Sequence, residues 1–194
     1  MTPEGSSRPP RPRRESFAER KARRAAVDDP AVVLEAAARF LEARSRSVAE
    51  VRRRLGSAGY RPELVEAAVT RLVDLGMLDD EAFATAWVES RDRARPRGER
   101  AMRDELRLKG LDREIVDRVL QTRAAEAEKP PDLTAAERLL EKHARSLARV
   151  ADPRQRRQRA YALLARNGFD PETCSTLAAT AVGRSEVSDA DDDA

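Results

Sequence analysis

Three runs of arginine give this 194-residue chain its most reactive surfaces. A guanidinium is a planar fork that grips a phosphate or a carboxylate through two parallel hydrogen bonds, so clustered arginines point to a polyanionic or acidic partner. Arg52, Arg53 and Arg54 lie opposite the stripe of Val48, Val51 and Leu55, which directs all three toward solvent. Arg91, Arg93, Arg95, Arg97, Arg100, Arg103, Arg107 and Lys109 form a second run, only partly offset by Asp92, Glu99, Asp104 and Glu105, with a loop expected near Pro96 and Gly98. Arg154, Arg156, Arg157 and Arg159 form a third at the start of a helix, with no acid among them. Positive charge there opposes the helix dipole, a cost that a negatively charged partner offsets. Surfaces of this kind track a nucleic-acid backbone and lose affinity as salt rises. The plain reading of any single arginine is a solvated helix face, and the clusters carry more weight than their members.

Other reactive groups read as structural. Asp79 and Asp80 resemble a catalytic carboxylate pair, but they directly precede a helix, where negative charge caps free backbone N–H groups. Trp87, Tyr60, Phe83 and Phe169 are able to stack on bases, yet each falls at an apolar repeat position or on a helix stripe, which favours core packing. Cys174 and His143 are the only cysteine and the only histidine, too few for a disulfide or a zinc site. The chain has no phosphate-binding glycine loop, nucleophile elbow or zinc-binding helix motif. The expectation is a binding protein with no catalytic residues, no cofactor and no metal.

Composition narrows the elements that carry these groups. Hydrophobic residues make up 40% of the chain, aromatic residues 4% and charged residues 38%. Burial must therefore come from Leu, Val and Ala on narrow amphipathic stripes, which favours helices over sheets. No stretch approaches the roughly 20 apolar residues that cross a bilayer, and no apolar signal core follows the basic N-terminus, so a cytoplasmic protein without membrane contact is expected. The formal charge of +3 hides a polar distribution, because Asp189, Asp191, Asp192 and Asp193 collect at one end and arginines elsewhere.

An internal repeat organises the middle of the chain. Leu55-x-x-x-Gly59-Tyr60-x-x-Glu63, Leu106-x-x-x-Gly110-Leu111-x-x-Glu114 and Leu164-x-x-x-Gly168-Phe169-x-x-Glu172 share one grammar. A helix presents its leucine, a glycine stops it in the left-handed region, an apolar residue tucks back, and the next helix starts. Asp112 and Asp170 suit N-caps, and Pro62 and Pro171 suit the first helical position. Ser47-x-x-Glu50 and Thr134-x-x-Glu137 have capping-box spacing. Further helices fit upstream at about 32–43, 80–94 and 134–150, which predicts nine helices. The expected architecture is all-α, with three tandem three-helix repeats in an elongated curved array. Its boundaries are a disordered basic arm over 1–29, repeats over 30–76, 77–123 and 132–183, a linker over 124–131, and a disordered acidic tail over 184–194.

Arg46-Ser47-x-x-Glu50 followed by Arg52, Arg53, Leu55 and Gly59 opens a longer signature, and Gly76-Met77-Leu78-Asp79-Asp80-Glu81-Ala82-Phe83-Ala84 continues it. Together they resemble the RecX family of recombination regulators, the second segment being similar to the family's marker sequence. The likeness continues through Trp87, Arg91, Arg95, Gly98, Met102, Glu105, Leu106, Lys109 and Gly110. Met77 stands where the family commonly has an aromatic residue, and beyond Lys129 only the repeat grammar persists. The resemblance implies a monomer that binds a RecA filament on single-stranded DNA and modulates, most often inhibits, its growth, ATPase, strand exchange and coprotease activity. The alternative is a general helix-turn-helix-like module that reads duplex DNA.

Overall fold

Backbone in the left-handed region occurs at Gly59, Gly76, Gly110 and Gly168, with φ of 103°, 68°, 81° and 85°, and at no other described residue. Three of the four are the predicted repeat turns, and their hydrogen bonds coincide. The N–H groups of Tyr60, Leu111 and Phe169 each donate back five residues, to the carbonyls of Leu55, Leu106 and Leu164 at 3.3, 3.2 and 3.4 Å. That bond closes a helix end only when the preceding residue has positive φ, which glycine adopts without penalty.

The computed structural model describes the backbone of residues 15–188 and the side chains of 15–180. Among the described residues there are ten helices and no strand: α1 (Phe17–Ala25), α2 (Pro30–Glu42), α3 (Val48–Ala58), α4 (Pro62–Asp74), α5 (Asp80–Ala94), α6 (Glu99–Leu108), α7 (Arg113–Glu126), α8 (Pro131–Ala148), α9 (Pro153–Arg166) and α10 (Pro171–Ser188). Helices α2–α4, α5–α7 and α8–α10 form the three predicted repeats.

Three expectations need correction. Residues 17–25 were assigned to a disordered arm, yet they form α1, closed by a capping box in which the Ser16 side chain accepts from Glu19 N–H and Glu19 accepts from Ser16 N–H. Residues 184–188, expected in the disordered acidic tail, continue α10, while residues 1–14 and 189–194, the outer parts of both expected tails, lie outside the described residues. Thr134 was read as an N-cap, but α8 starts at Pro131, whose fixed φ suits a first helical position and draws the start one turn earlier. The other caps form: Ser47 and Glu50 exchange bonds of 3.1 and 3.3 Å, and Asp112 and Asp170 accept from Glu114 and Thr173 N–H at 2.8 and 2.9 Å.

The chain divides into two compact units, and the boundary falls inside α3. The first holds residues up to Arg44 and Val51–Leu75, and its core is Val33, Ala37, Val51, Leu55, Val65, Ala68, Val69 and Leu72. Within it, Arg24 donates to the carbonyl of Ala58 and stacks over Tyr60 at 5.8 Å, and Lys21 covers the face of Gly59.

The second unit holds Ser45–Glu50 and everything from Gly76 onward. Repeat 2 centres on Phe83, Val88, Met102, Leu106, Val116 and Leu120, and repeat 3 on Ala136, Leu139, Leu164, Phe169, Cys174 and Leu177. Two similar joints recur here. The start of α3 meets the Gly110 turn: Ser47 Oγ donates to Lys109 O at 2.6 Å, Val48 N–H donates to Asp80 at 2.9 Å, and Ala49 covers Gly110. The start of α6 meets the Gly168 turn: Gly98 N–H donates to Asn167 O at 3.0 Å, Glu99 N–H donates to Asp132 at 2.8 Å, and Ala101 covers Gly168. In both, a carboxylate that begins one repeat caps the second helix of the repeat before it. Asp79 caps its own helix α5 at 2.8 and 2.9 Å, as predicted, while Asp80 serves the joint instead. A side chain on Gly110 or Gly168 would meet both strained backbone and an alanine from the neighbouring repeat.

Candidate partner-binding surface

The predicted basic residues separate into those held by acids and those left open. On α3, Arg52 grips Glu66 of α4 through two nitrogens at 2.9 and 2.7 Å, and Arg54 lies over the Phe40 ring at 5.7 Å. Arg53 is exposed, with no ion pair among the described residues.

The second run is mostly committed to the fold. Arg91 and Arg97 pair with Glu105 at 2.6 and 3.5 Å, and Arg97 also donates to Asn167 Oδ1 at 2.7 Å. Arg93 pairs with Glu89 at 3.6 Å, Arg107 with Asp104 at 3.8 Å and Lys109 with Glu50 at 2.9 Å. Arg103 bridges Glu99 at 2.7 Å and Asp117, and these two carboxylates raise its pKa while Arg103 holds the Asp117 carboxyl below its ordinary value. Arg95 and Arg100 stay exposed without an ion pair among the described residues. The loop expected near Pro96 and Gly98 exists, but both residues are buried in the joint to repeat 3.

Trp87 sits inside this network rather than in the open. Arg91 and Lys109 stand over its ring at 4.3 and 4.8 Å, its Nε1–H donates to Glu105 at 2.9 Å, and its ring lies 6.0 Å from that of the buried Phe83. Cation–π contacts and a satisfied indole fix the ring as a structural post. Phe83 and Phe169 are core residues, as predicted, and Tyr60 is half-buried.

The third run differs. Only Arg156 turns inward, donating to Val150 O at 3.0 Å. Arg154, Arg157 and Arg159 are exposed without an ion pair among the described residues, and α9 contains no acid. Asp152 precedes them, but its carboxylate is spent on capping Arg154 N–H at 2.9 Å. Two residues that sequence reasoning passed over extend the group, Arg145 near the end of α8 and Arg149 in the following loop, both exposed and likewise unpaired among the described residues.

Sequence reasoning also missed Arg123. Its side chain is 10% exposed and forks between Asp92 and Asp132 at 2.8 Å each, so it clamps repeat 2 to the start of repeat 3. Burial depresses its pKa, but the two carboxylates outweigh that and raise it. A cleft of about 770 Å³ beside it is lined by Arg100, Arg103, Tyr161 and Cys174 among others. Burial and the nearby Asp170 push the Cys174 thiol up, against thiolate formation. His143 Nδ1 lies 2.9 Å from Leu139 O, a helix-internal contact. No group of acids, histidines and cysteines among the described residues is arranged to hold a metal ion.

Fold and surface together define a tandem three-helix-repeat protein whose basic side chains are partly consumed by its own joints. Three family models cover those repeats in order: "RecX, first three-helix domain" matches residues 34–72, the second domain 79–120 and the third 131–177. Regulatory protein RecX of Mycolicibacterium vanbaalenii is 37% identical over 138 residues, covering 68% of this chain and 72% of the relative. Regulatory protein RecX of Mycobacterium leprae is 34% identical over 142 residues, covering 73% and 81%. The crystal structure of RecX from Lactobacillus salivarius superposes with a TM-score of 0.63 at 20% identity, covering 82% of this chain and 98% of that one. The chain belongs to the RecX family of regulatory proteins. The third model extends the family likeness past Lys129, through the repeat in which the sequence shows only the shared grammar.

Proposed function

We propose that the protein regulates a RecA recombinase by binding its filament on single-stranded DNA, acting as a monomer in the cytoplasm and through contact alone. Bound along the filament, it hinders monomer addition and strand exchange, and with them ATP hydrolysis and coprotease activity. The observation that carries this reading is the open arginine group of repeat 3, where Arg154, Arg157 and Arg159 face solvent on a helix without an acid. An array of unpaired guanidiniums suits phosphates or acidic filament surfaces, and each phosphate contact releases counterions. Arg53, Arg95 and Arg100 are the remaining open members of the predicted set and extend the same surface chemistry to repeats 1 and 2. The paired residues Arg52, Arg91, Arg93, Arg97, Arg103, Arg107 and Lys109, with Arg54 on Phe40 and Arg156 on Val150, contribute to binding only if a partner displaces their present contacts.

The test follows ATP hydrolysis and DNA strand exchange by the cognate recombinase as the protein is added. Lowered rates at stoichiometric amounts are expected. Unchanged rates would sink the proposal, and tight, sequence-specific duplex binding without recombinase would favour a plain helix-turn-helix DNA-binding module.

A further inference from the structure

The cleft of about 770 Å³ and the open arginines of α9 belong to one surface. Tyr161 and Ala165 of α9 both line the cleft, and both are exposed. With about 3.6 residues per turn, Arg154, Arg157, Tyr161 and Ala165 fall on the same face of that helix, and Arg154 stands about 10 Å from Tyr161 along its axis. One stripe therefore runs from two guanidiniums without an ion pair among the described residues, over an aromatic ring, and into the cleft. Tyr161 is 38% exposed, and it and Phe17 are the two exposed aromatic residues among those described. Trp87, Phe83 and Phe169 are taken up by packing, so Tyr161 is the ring of the second unit that is left for a partner.

The cleft itself is a poor seat for a phosphate. Arg100, Arg103 and Arg123 in its lining are matched in charge by Glu99, Asp132 and Asp170. Those acids are already engaged: Glu99 pairs with Arg103, Asp132 pairs with Arg123, and Asp170 caps Thr173 N–H. An anion inside would face three carboxylates, whereas an uncharged flat group would meet Leu120, Leu133 and the Tyr161 ring. The volume lies within the range of small-ligand sites. Open cations beside a charge-balanced, partly apolar cleft with an aromatic at its edge suit single-stranded nucleic acid, whose phosphates follow the cations and whose bases stack on the ring. A duplex hides its base faces, and an acidic peptide would use the arginines but leave the ring and the cleft empty.

We infer that the cleft between repeats 2 and 3 accepts an unstacked base of single-stranded DNA on Tyr161, while Arg154 and Arg157 hold the flanking phosphates. Arg100, exposed and without an ion pair among the described residues, offers a further phosphate contact from the repeat 2 wall. The site deepens the functional reading above and rests on it, since it makes repeat 3 touch the DNA of the filament directly.

The experiment measures affinity of the full chain for an oligothymidylate and for an abasic oligonucleotide of the same length, in the parent, Tyr161→Ala and Tyr161→Phe. The expected result is about tenfold weaker binding of oligothymidylate by Tyr161→Ala, with Tyr161→Phe like the parent. The salt dependence should not change, because the ring carries no charge. The parent should bind the abasic strand about tenfold more weakly than oligothymidylate, a comparison that needs no variant to fold. Equal binding of the two strands by the parent, or parental affinity in Tyr161→Ala, overturns the base site. Parental DNA affinity in Tyr161→Ala together with weaker binding to DNA-free recombinase puts a protein side chain in the cleft and overturns it too. Base-dependent binding without any effect on the recombinase's ATP hydrolysis upholds the site and contradicts the regulatory reading, so the two claims fail separately.

Discussion

Repeats 2 and 3 are both rich in arginine and use it in opposite ways. In repeat 2 the guanidiniums are tied to Glu89, Glu99, Asp104, Glu105 and Asp117, and Arg123 reaches across to Asp132. Arg91, Arg103 and Arg123 tie helix to helix or repeat to repeat, Arg93 and Arg107 pair within their own helices, and Arg95 and Arg100 are left open. In repeat 3, α9 contains no acid, Arg154, Arg157 and Arg159 make no ion pair among the described residues, and the Asp152 carboxylate is turned to the helix N-terminus. A run of arginine is thus ambiguous until its counter-charges are placed, and placing them separates the joint from the surface offered to a partner.

Loss of the clamp should give the largest stability effect. Arg123→Ala leaves Asp92 and Asp132 facing each other with their shared cation gone, and is expected to destabilise the protein by about 2 kcal/mol in urea unfolding, discounted from fully buried pairs because both carboxylates stay partly exposed. A change below about 0.5 kcal/mol would show that repeat 2's arginines are not structural. Next in size, the combined change Arg154→Gln, Arg157→Gln and Arg159→Gln should leave unfolding within about 0.5 kcal/mol of the parent while weakening single-stranded DNA binding by about tenfold at low salt and flattening its salt dependence. The two variants should therefore exchange phenotypes, one stability-defective and one binding-defective.

The smallest effect is one of pH. Asp117 is held below its ordinary pKa by its bond to Arg103, so its folded value lies below its unfolded one. Its contribution to stability is present above the ordinary carboxylate range and is lost as pH falls through the folded value. Urea midpoints measured between about pH 3 and pH 6 should fall slightly less toward acid in Asp117→Asn than in the parent, and an identical slope would remove Asp117 from the account.

Most of the helical framework was legible because its signals are local. Leucine, glycine and an apolar residue at fixed spacing specify the turns at Gly59, Gly110 and Gly168, and Ser47, Asp112 and Asp170 announce helix starts through bonds two or three residues long. Helix α1 was within reach as well, since Ser16 and Glu19 have capping-box spacing, but its arginine-rich, apolar-poor composition hid it. The joints were not legible. Asp80 and Asp132 look like caps of their own helices, and only the packed chain brings them to Val48 and Glu99. The same holds for the candidate surface: Arg103 and Arg157 look alike in sequence, and Asp117, Asp92 and Glu105 acquire their partners from 14 to 31 residues away. Pairing across helices is a property of packing, which periodicity does not encode.

The central claim is that the partner meets the protein at the open arginines of repeat 3. It is tested most directly by titrating the full-length Arg154→Gln, Arg157→Gln, Arg159→Gln variant into the cognate recombinase on single-stranded DNA and following ATP hydrolysis. The account predicts a folded variant that needs about tenfold more protein than the parent to reach the same effect. A dose–response curve superimposable on the parent's would contradict it.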